Sequence, residues 1–216
     1  APNTVAIYSE TYLWNPLGGE NKCEIACLSL PAPALDSVKQ PHWNHYMGTG
    51  KLDEERYRTE IAFLFRCVEQ ALRDNLTTAF NGKGIKRLVL SKFGQGAFIG
   101  ALDYSEREAA GNIFKDEMVL FLNRIKDIEI PKVLSVLQKP YQADDTITHV
   151  DGGIIECAEE GDLVINAWDP HSAPGNGNDG DNSFDGAIGR STGVLLTQTA
   201  WMNEYLKTKK CLVAVQ

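Results

Sequence analysis

The sequence has fewer basic residues than acidic ones. Its 21 lysines and arginines stand against 29 aspartates and glutamates, which gives a formal net charge of −8. Non-specific binding to nucleic acid needs an excess of positive charge to neutralise phosphates, so we expect no nucleic-acid partner. A small phosphate-bearing ligand is not excluded, because backbone N–H groups and helix N-termini bind phosphate without side-chain charge.

Paired cysteine motifs and long apolar runs are also lacking. The cysteines are odd in number and include no Cys-x-x-Cys pair, so we expect free thiols in a reducing, cytoplasmic compartment and no zinc site. No apolar run reaches the length of about 18 residues that a membrane span needs, so we expect no membrane partner. The five cysteines are Cys23, Cys27, Cys67, Cys157 and Cys211.

Strand-like and helix-like segments alternate along the 216 residues, without an internal repeat or a low-complexity linker. This alternation predicts a single α/β domain over residues 1–216, with a mixed, largely parallel sheet between two helical layers in a three-layer α/β/α fold. Periodicity predicts helices at 53–76, 105–126 and 191–206, and strands at 4–8, 27–30, 87–90, 132–137, 153–157, 163–167 and 211–215. Residues 36–50 and 169–190 are expected to be loops.

Three segments that follow predicted strands carry residues suited to ligand binding. They are 15–19, with Asn15, Gly18 and Gly19; 93–98, which is rich in glycine; and 168–189, which is rich in aspartate. In open α/β sheets, ligands bind beyond the carboxyl ends of the strands. We therefore expect the three segments to meet at one edge of the sheet.

The second segment follows a continuous apolar run, typical of a parallel strand that is buried on both faces. Two glycines let a ligand approach the backbone closely, and successive N–H groups with a helix start behind them attract an anion. The two phenylalanines could stack on a base or ribose; the alternative is a tight turn with both rings in the core. Neither the Rossmann nor the P-loop pattern is present. The candidate residues are Phe93, Gly94, Gln95, Gly96, Ala97 and Phe98.

The third segment crowds four aspartates together with no lysine or arginine among them. Crowded carboxylates raise one another's pKa, so something must compensate for their repulsion. Three interpretations remain open: a solvated acidic loop, a divalent metal site that departs from the EF-hand spacing, or carboxylates that hold sugar hydroxyls and activate water. We favour the third. The catalytic candidates are Asp169, Asp179, Asp181 and Asp185, and His171 is a candidate ligand-binding residue.

Two motifs resemble those of a known family. The run LVLSKFGQGAFIGAL resembles the strand and phosphate-binding loop of macrodomains, especially those related to poly(ADP-ribose) glycohydrolase. The stretch NAWDPHSAPGNGNDGDNSFDGAIGRST is similar to the aspartate-rich loop of MavL-type macrodomains. Residues 15–19 look like a shortened form of the first ligand loop of the glycohydrolase group.

The resemblance covers roughly residues 4–206. It implies a macrodomain fold, binding of ADP-ribose without a further cofactor, and hydrolysis of ADP-ribose from a modified protein, with arginine-modified ubiquitin as one expected substrate. The glycohydrolases carry a Gln-Glu-Glu triplet that is missing here, where Gly18-Gly19 leads to Glu20 and Glu24. The catalytic role therefore shifts to the aspartates. The alternatives are a reader that binds ADP-ribose without hydrolysis, and a metal-dependent hydrolase or Ca²⁺-stabilised interaction module.

Overall fold

The computed structural model describes residues 5–14, 22–48, 50–136, 147–151, 157–168 and 213–214. These ranges contain seven strands and four helices. The strands are β1 Val5–Trp14, β2 Lys22–Pro31, β3 Arg87–Ser91, β4 Lys132–Val136, β5 Ile147–Asp151, β6 Asp162–Trp168 and β7 Val213–Ala214. The helices are α1 Pro41–Tyr46, α2 Glu54–Asn75, α3 Ala79–Gly82 and α4 Tyr104–Arg124, and a short 3₁₀ turn covers Ala97–Ile99.

The strands form one mixed sheet in the order β5-β4-β3-β6-β2-β1-β7. The five neighbours from β5 to β2 are parallel to one another. β1 runs antiparallel to β2, and β7 runs antiparallel to β1. The predicted α/β class with a mixed, largely parallel sheet is confirmed.

Both faces of this sheet are buried. On one face α2 and α4 pack on the sheet, and the Phe65 ring lies among the rings of Phe93, Phe114 and Phe121 at centroid distances of 5.1, 5.3 and 5.2 Å. The second face carries a separate buried apolar cluster. Successive side chains of a strand point to opposite faces, so a strand that is covered on both sides needs a continuous run of apolar residues. A sheet buried on both faces is the arrangement of a three-layer α/β/α fold. The second cluster comprises Ile25, Cys27, Val89, Val133 and Val164.

The two long helices begin where the sequence predicts. The Asp53 side chain accepts a hydrogen bond from the Arg56 N–H at 3.1 Å and caps α2. The predicted helix at 105–126 corresponds to α4, and the predicted helix at 191–206 lies outside the described residues. No helix in the described part of the chain is long and apolar enough to cross a membrane.

Several boundaries differ from the sequence-based prediction. β1 and β2 each span ten residues, because their pairing extends from Ile7 opposite Ser29 to Trp14 opposite Lys22, through polar positions that lack a clear apolar pattern. Residues 36–50 were expected to be a loop but contain α1, whose six residues are too few to show periodicity. β5 was not predicted, and the strand predicted at 153–157 lies outside the described residues except for Cys157.

A buried ion pair fixes the starts of β3 and β6 to each other. The Arg87 guanidinium donates to both carboxylate oxygens of Asp162, from Nε at 2.9 Å and from Nη2 at 2.8 Å. Asp162 is 1% exposed, and its Oδ2 also accepts the Glu159 N–H at 2.7 Å. These contacts hold the amino edge of the sheet, which is opposite the edge where β3 and β6 end.

Candidate functional site

Two of the three predicted segments begin at the same edge of the sheet. β3 and β6 are parallel neighbours, with Val89 opposite Val164, so they end at Ser91 and Trp168 on one edge. We call this edge, where β2 also ends, the carboxyl edge. The segment 93–98, called the glycine turn below, leaves β3 there, and Asp169 directly follows β6. Asp169, His171, Asp179, Asp181 and Asp185 lie outside the described residues.

The first segment follows a strand that ends at the other edge. β1 is antiparallel to its neighbour, and its last residue, Trp14, lies opposite Lys22 at the amino end of β2. Asn15, Gly18 and Gly19 are themselves outside the described ranges. The expectation that all three segments meet at one edge is therefore wrong for β1, because it assumed that β1 runs parallel to β3.

A segment that the sequence analysis did not single out packs against the glycine turn instead. Residues 32–35, called the strap, follow β2 at the carboxyl edge. The Leu35 N–H donates to the Phe98 carbonyl at 2.5 Å, and the Leu35 carbonyl accepts the Ala101 N–H at 3.2 Å. The Ala34 N–H donates to Nδ1 of His42, a buried residue of α1, at 3.1 Å. The strap thus connects α1 to the glycine turn.

The two glycines of the turn have different surroundings. Gly94 has a φ of +73°, and a Cβ built on it would lie 2.7 Å from the Cβ of Ala32 in the strap. A Cβ on Gly96 would meet no atom of the described residues within 4 Å. The close approach at Gly94 is therefore filled by the protein's own backbone and side chain, whereas Gly96 faces open space that a ligand can enter.

In and after the glycine turn, some backbone N–H groups have no hydrogen-bond acceptor among the described residues, whereas the carbonyl groups are hydrogen-bonded. The N–H groups of Gly96, Ala97 and Phe98 donate to no other residue in the described ranges. By contrast, the neighbouring carbonyl groups are hydrogen-bonded within the chain. Those of Gly96, Ala97 and Ile99 accept backbone N–H groups, that of Phe98 accepts from the strap, and those of Gly100 and Leu102 accept from Arg107. Successive unpaired N–H groups in a turn form a concave site for an anion.

The two phenylalanines of the turn differ in their surroundings. Phe93 is 2% exposed, and its ring packs against those of Phe65 and Phe114 in the core. Its ring is thus unavailable to a ligand, which agrees with the alternative of a core aromatic. Phe98 is half-buried and has no such core contact among the described rings. Only Phe98 remains a candidate for stacking on a base or ribose.

The start of α4 is capped by the chain's own acidic side chains. The Asp103 carboxylate accepts the Glu106 N–H at 2.8 Å, and the Glu106 side chain accepts the Asp103 N–H at 3.1 Å. This capping box uses the donors that a bound anion would need, and the Glu106 N–H holds the pKa of Asp103 below its usual range. The chain caps this helix itself, so the N–H groups of Asp103 and Glu106 are not available to an anion.

The Gln95 side chain points from the turn to α2. Its Nε2 donates to the Tyr57 hydroxyl at 2.8 Å, and its N–H donates to the Lys92 carbonyl at 3.0 Å. Tyr57 is fully buried, and burial raises its pKa to about 12, so the phenol is neutral at physiological pH. Burial also lowers the pKa of the Lys92 ammonium, which follows β3 at the same edge. Gln95 thus fixes the turn to the helical layer.

The cysteines and acidic residues of the described ranges form no metal centre. Cys23, Cys27, Cys67 and Cys157 form no disulfide with one another. Burial raises the pKa of Cys67 to about 11, which makes it an unreactive core residue. Within those ranges no group of three or more His, Cys, Asp or Glu side chains could hold a metal ion.

Comparison with protein-family models and with curated proteins identified no relative of this chain. No protein-family model matches the chain, and no curated protein is similar to it. The resemblance to macrodomains therefore rests on the two sequence motifs, and the candidate site rests on the geometry of the carboxyl edge.

Proposed function

We propose that this protein binds ADP-ribose at the carboxyl edge and hydrolyses the bond between ADP-ribose and a modified protein. The single observation that carries the proposal is the row of unpaired N–H groups at Gly96, Ala97 and Phe98, beside the strand that leads into the aspartate-rich segment. β3 and β6 are adjacent, so an anion at the turn lies within reach of residues that follow Trp168.

The diphosphate is the part of the ligand that the turn is suited to bind. Backbone N–H groups stabilise phosphate without a lysine or arginine, which suits a chain with a net charge of −8. The open space at Gly96 admits a phosphoryl group close to the backbone. Phe98, half-buried beside it, is the candidate for contact with the base or the ribose.

The aspartates are the part of the chain suited to the sugar and to catalysis. Carboxylates accept hydrogen bonds from the vicinal hydroxyls of ribose, and one of them can activate water or protonate a leaving group at the anomeric carbon. Asp169 follows β6 directly, and Asp179, Asp181 and Asp185 come after it in the chain. Acidic side chains also pair with a guanidinium, so ADP-ribosylated arginine, including that of ubiquitin, is the acceptor we propose to test first. The cysteines of this protein are odd in number and lack a Cys-x-x-Cys pair, which favours the cytoplasm.

Calorimetric titration with ADP-ribose tests the binding step directly. We expect saturable binding with one site per chain, and competition by ADP. If neither nucleotide binds at millimolar concentration, the proposed function is wrong.

Release of free ADP-ribose from an arginine-modified protein tests the catalytic step. We expect Asp169→Ala and Asp179→Ala to lose most turnover, whereas Ser172→Ala, a change in the same segment, keeps it. Tight binding of ADP-ribose with no release of it from modified protein would make the protein a reader instead. Loss of activity on addition of a chelator would point to the metal-dependent alternative.

A further inference from the structure

Arg107 of α4 donates to two carbonyl groups in the stretch that follows the glycine turn. Its Nε donates to the Leu102 carbonyl at 2.8 Å, and its Nη2 donates to the Gly100 carbonyl. The guanidinium is planar and presents its donors in a fixed fork, so one side chain sets the direction of two peptide groups at once. A lysine ammonium lacks this fork.

Each of these peptide groups is also held from its other end. In a trans peptide bond the carbonyl and the following N–H point in opposite directions. The N–H that follows the Gly100 carbonyl belongs to Ala101 and donates to the Leu35 carbonyl at 3.2 Å. The N–H that follows the Leu102 carbonyl belongs to Asp103 and donates to the Glu106 carboxylate at 3.1 Å. Neither peptide group can rotate without breaking a hydrogen bond at both ends.

Two backbone hydrogen bonds connect residues 99 and 100 to the glycine turn that precedes them. The Gly100 N–H donates to the Ala97 carbonyl at 2.9 Å, and the Ile99 N–H donates to the Gly96 carbonyl at 3.3 Å. These two bonds orient the carbonyls of Gly96 and Ala97 away from the open space. The N–H groups on the opposite side of those peptide bonds, at Ala97 and Phe98, are the unpaired donors described above.

We propose, on the basis of the function proposed above, that Arg107 is a positioning residue that holds the glycine turn with its N–H groups outward, and so sets its affinity for a phosphoryl group. It acts through the carbonyls of Gly100 and Leu102 and does not itself bind the ligand. The two-pronged geometry of its side chain matters, and its charge alone is not sufficient.

The test compares Arg107→Met and Arg107→Lys with Arg124→Met, which makes the same change near the other end of α4, about 25 Å along the helix. Arg124 pairs with Glu69 at 2.7 Å and has no contact with the turn. Titration with ADP-ribose, and separately with inorganic pyrophosphate, should show binding weakened about tenfold or more in both Arg107 variants. Arg124→Met should bind as the unchanged protein does.

Amide hydrogen exchange gives a readout that needs no ligand. We expect the Ala101 and Asp103 amides, which belong to the two peptide groups that Arg107 holds, to exchange faster in both Arg107 variants and to stay protected in Arg124→Met. Unchanged exchange at these two amides, or an Arg107→Lys variant that binds pyrophosphate normally, would overturn the positioning role. Failure of the unchanged protein to bind either ligand would instead contradict the proposed function, and the exchange data would still report whether Arg107 fixes the turn.

Discussion

Replacing Gly94 by alanine places a methyl group 2.7 Å from the Cβ of Ala32, whereas two carbon atoms in contact prefer about 3.5–4.0 Å. Overpacking of this kind costs about 1–3 kcal/mol. The φ of +73° adds about 1–2 kcal/mol for a residue with a side chain. The sum is a loss of about 2–5 kcal/mol in the free energy of unfolding. At roughly 2–4 °C per kcal/mol for a domain of this size, the Tm should fall by about 4–20 °C.

Gly96→Ala is the matched control on the same turn. Its added methyl meets no atom of the described residues within 4 Å, so the overpacking expected for Gly94→Ala is absent and we expect a smaller fall in Tm. The methyl occupies the space that we assign to a phosphoryl group, so ADP-ribose should bind more weakly. Thermal unfolding by circular dichroism and calorimetric titration of both variants provide the measurements. A Gly94→Ala protein as stable as the unchanged one would refute the packing of the strap on the turn, and unaltered binding by Gly96→Ala would refute the anion site.

Three further changes test contacts that stabilise the fold. Asp162→Ala leaves the Arg87 guanidinium without its buried partner and should lose about 3–5 kcal/mol in urea unfolding. Asp127→Ala, which removes the exposed partner of Arg73, should change stability far less; equal losses would contradict the burial of the first pair. His42→Phe keeps a ring but removes the acceptor of the Ala34 N–H, so it should lose about 1–3 kcal/mol and speed the exchange of that amide, and unchanged exchange would exclude the bond. Burial raises the pKa of Tyr57 from 10.0 to about 12, so its contribution is fully present below pH 10 and is lost as the pH rises towards 12. Tyr57→Phe should therefore lose less stability over that alkaline window than the unchanged protein, and identical pH profiles would contradict the shift.

Local signals explain which parts of the fold could be predicted from the sequence. α2 follows from an aspartate cap at Asp53 and an apolar period of about 3.6 residues, and β3 follows from a short continuous apolar run. These features depend on residues close together in the chain. The direction of β1 does not depend on such neighbouring residues, since it is set by pairing with β2. The sequence pattern does not indicate whether a strand is parallel or antiparallel to its neighbour.

The candidate site likewise has some features that could be predicted from the sequence and others that depend on the tertiary structure. Spacing alone identified the glycine turn, and the structure leaves three of its N–H groups without a partner among the described residues. The need for a glycine at position 94 could not be predicted from spacing, because it depends on the close approach of Ala32, which is distant in sequence and adjacent in space. Phe93 was equally ambiguous, since an aromatic ring beside a glycine packs in a core or stacks on a ligand depending on the tertiary structure.

The position of β6 between β2 and β3 has a consequence for synthesis of the protein on the ribosome. Strands β1 and β2 form one pair, and β3 and β4 form another, and among the described strands it is β6, residues 162–168, that lies between the two pairs in the sheet. A nascent chain that has emerged only as far as β4 therefore lacks the strand that joins the two pairs into one sheet. Such long-range pairing is slow to form and prone to aggregation, so we expect the growing chain to need chaperone protection until that single late strand is released.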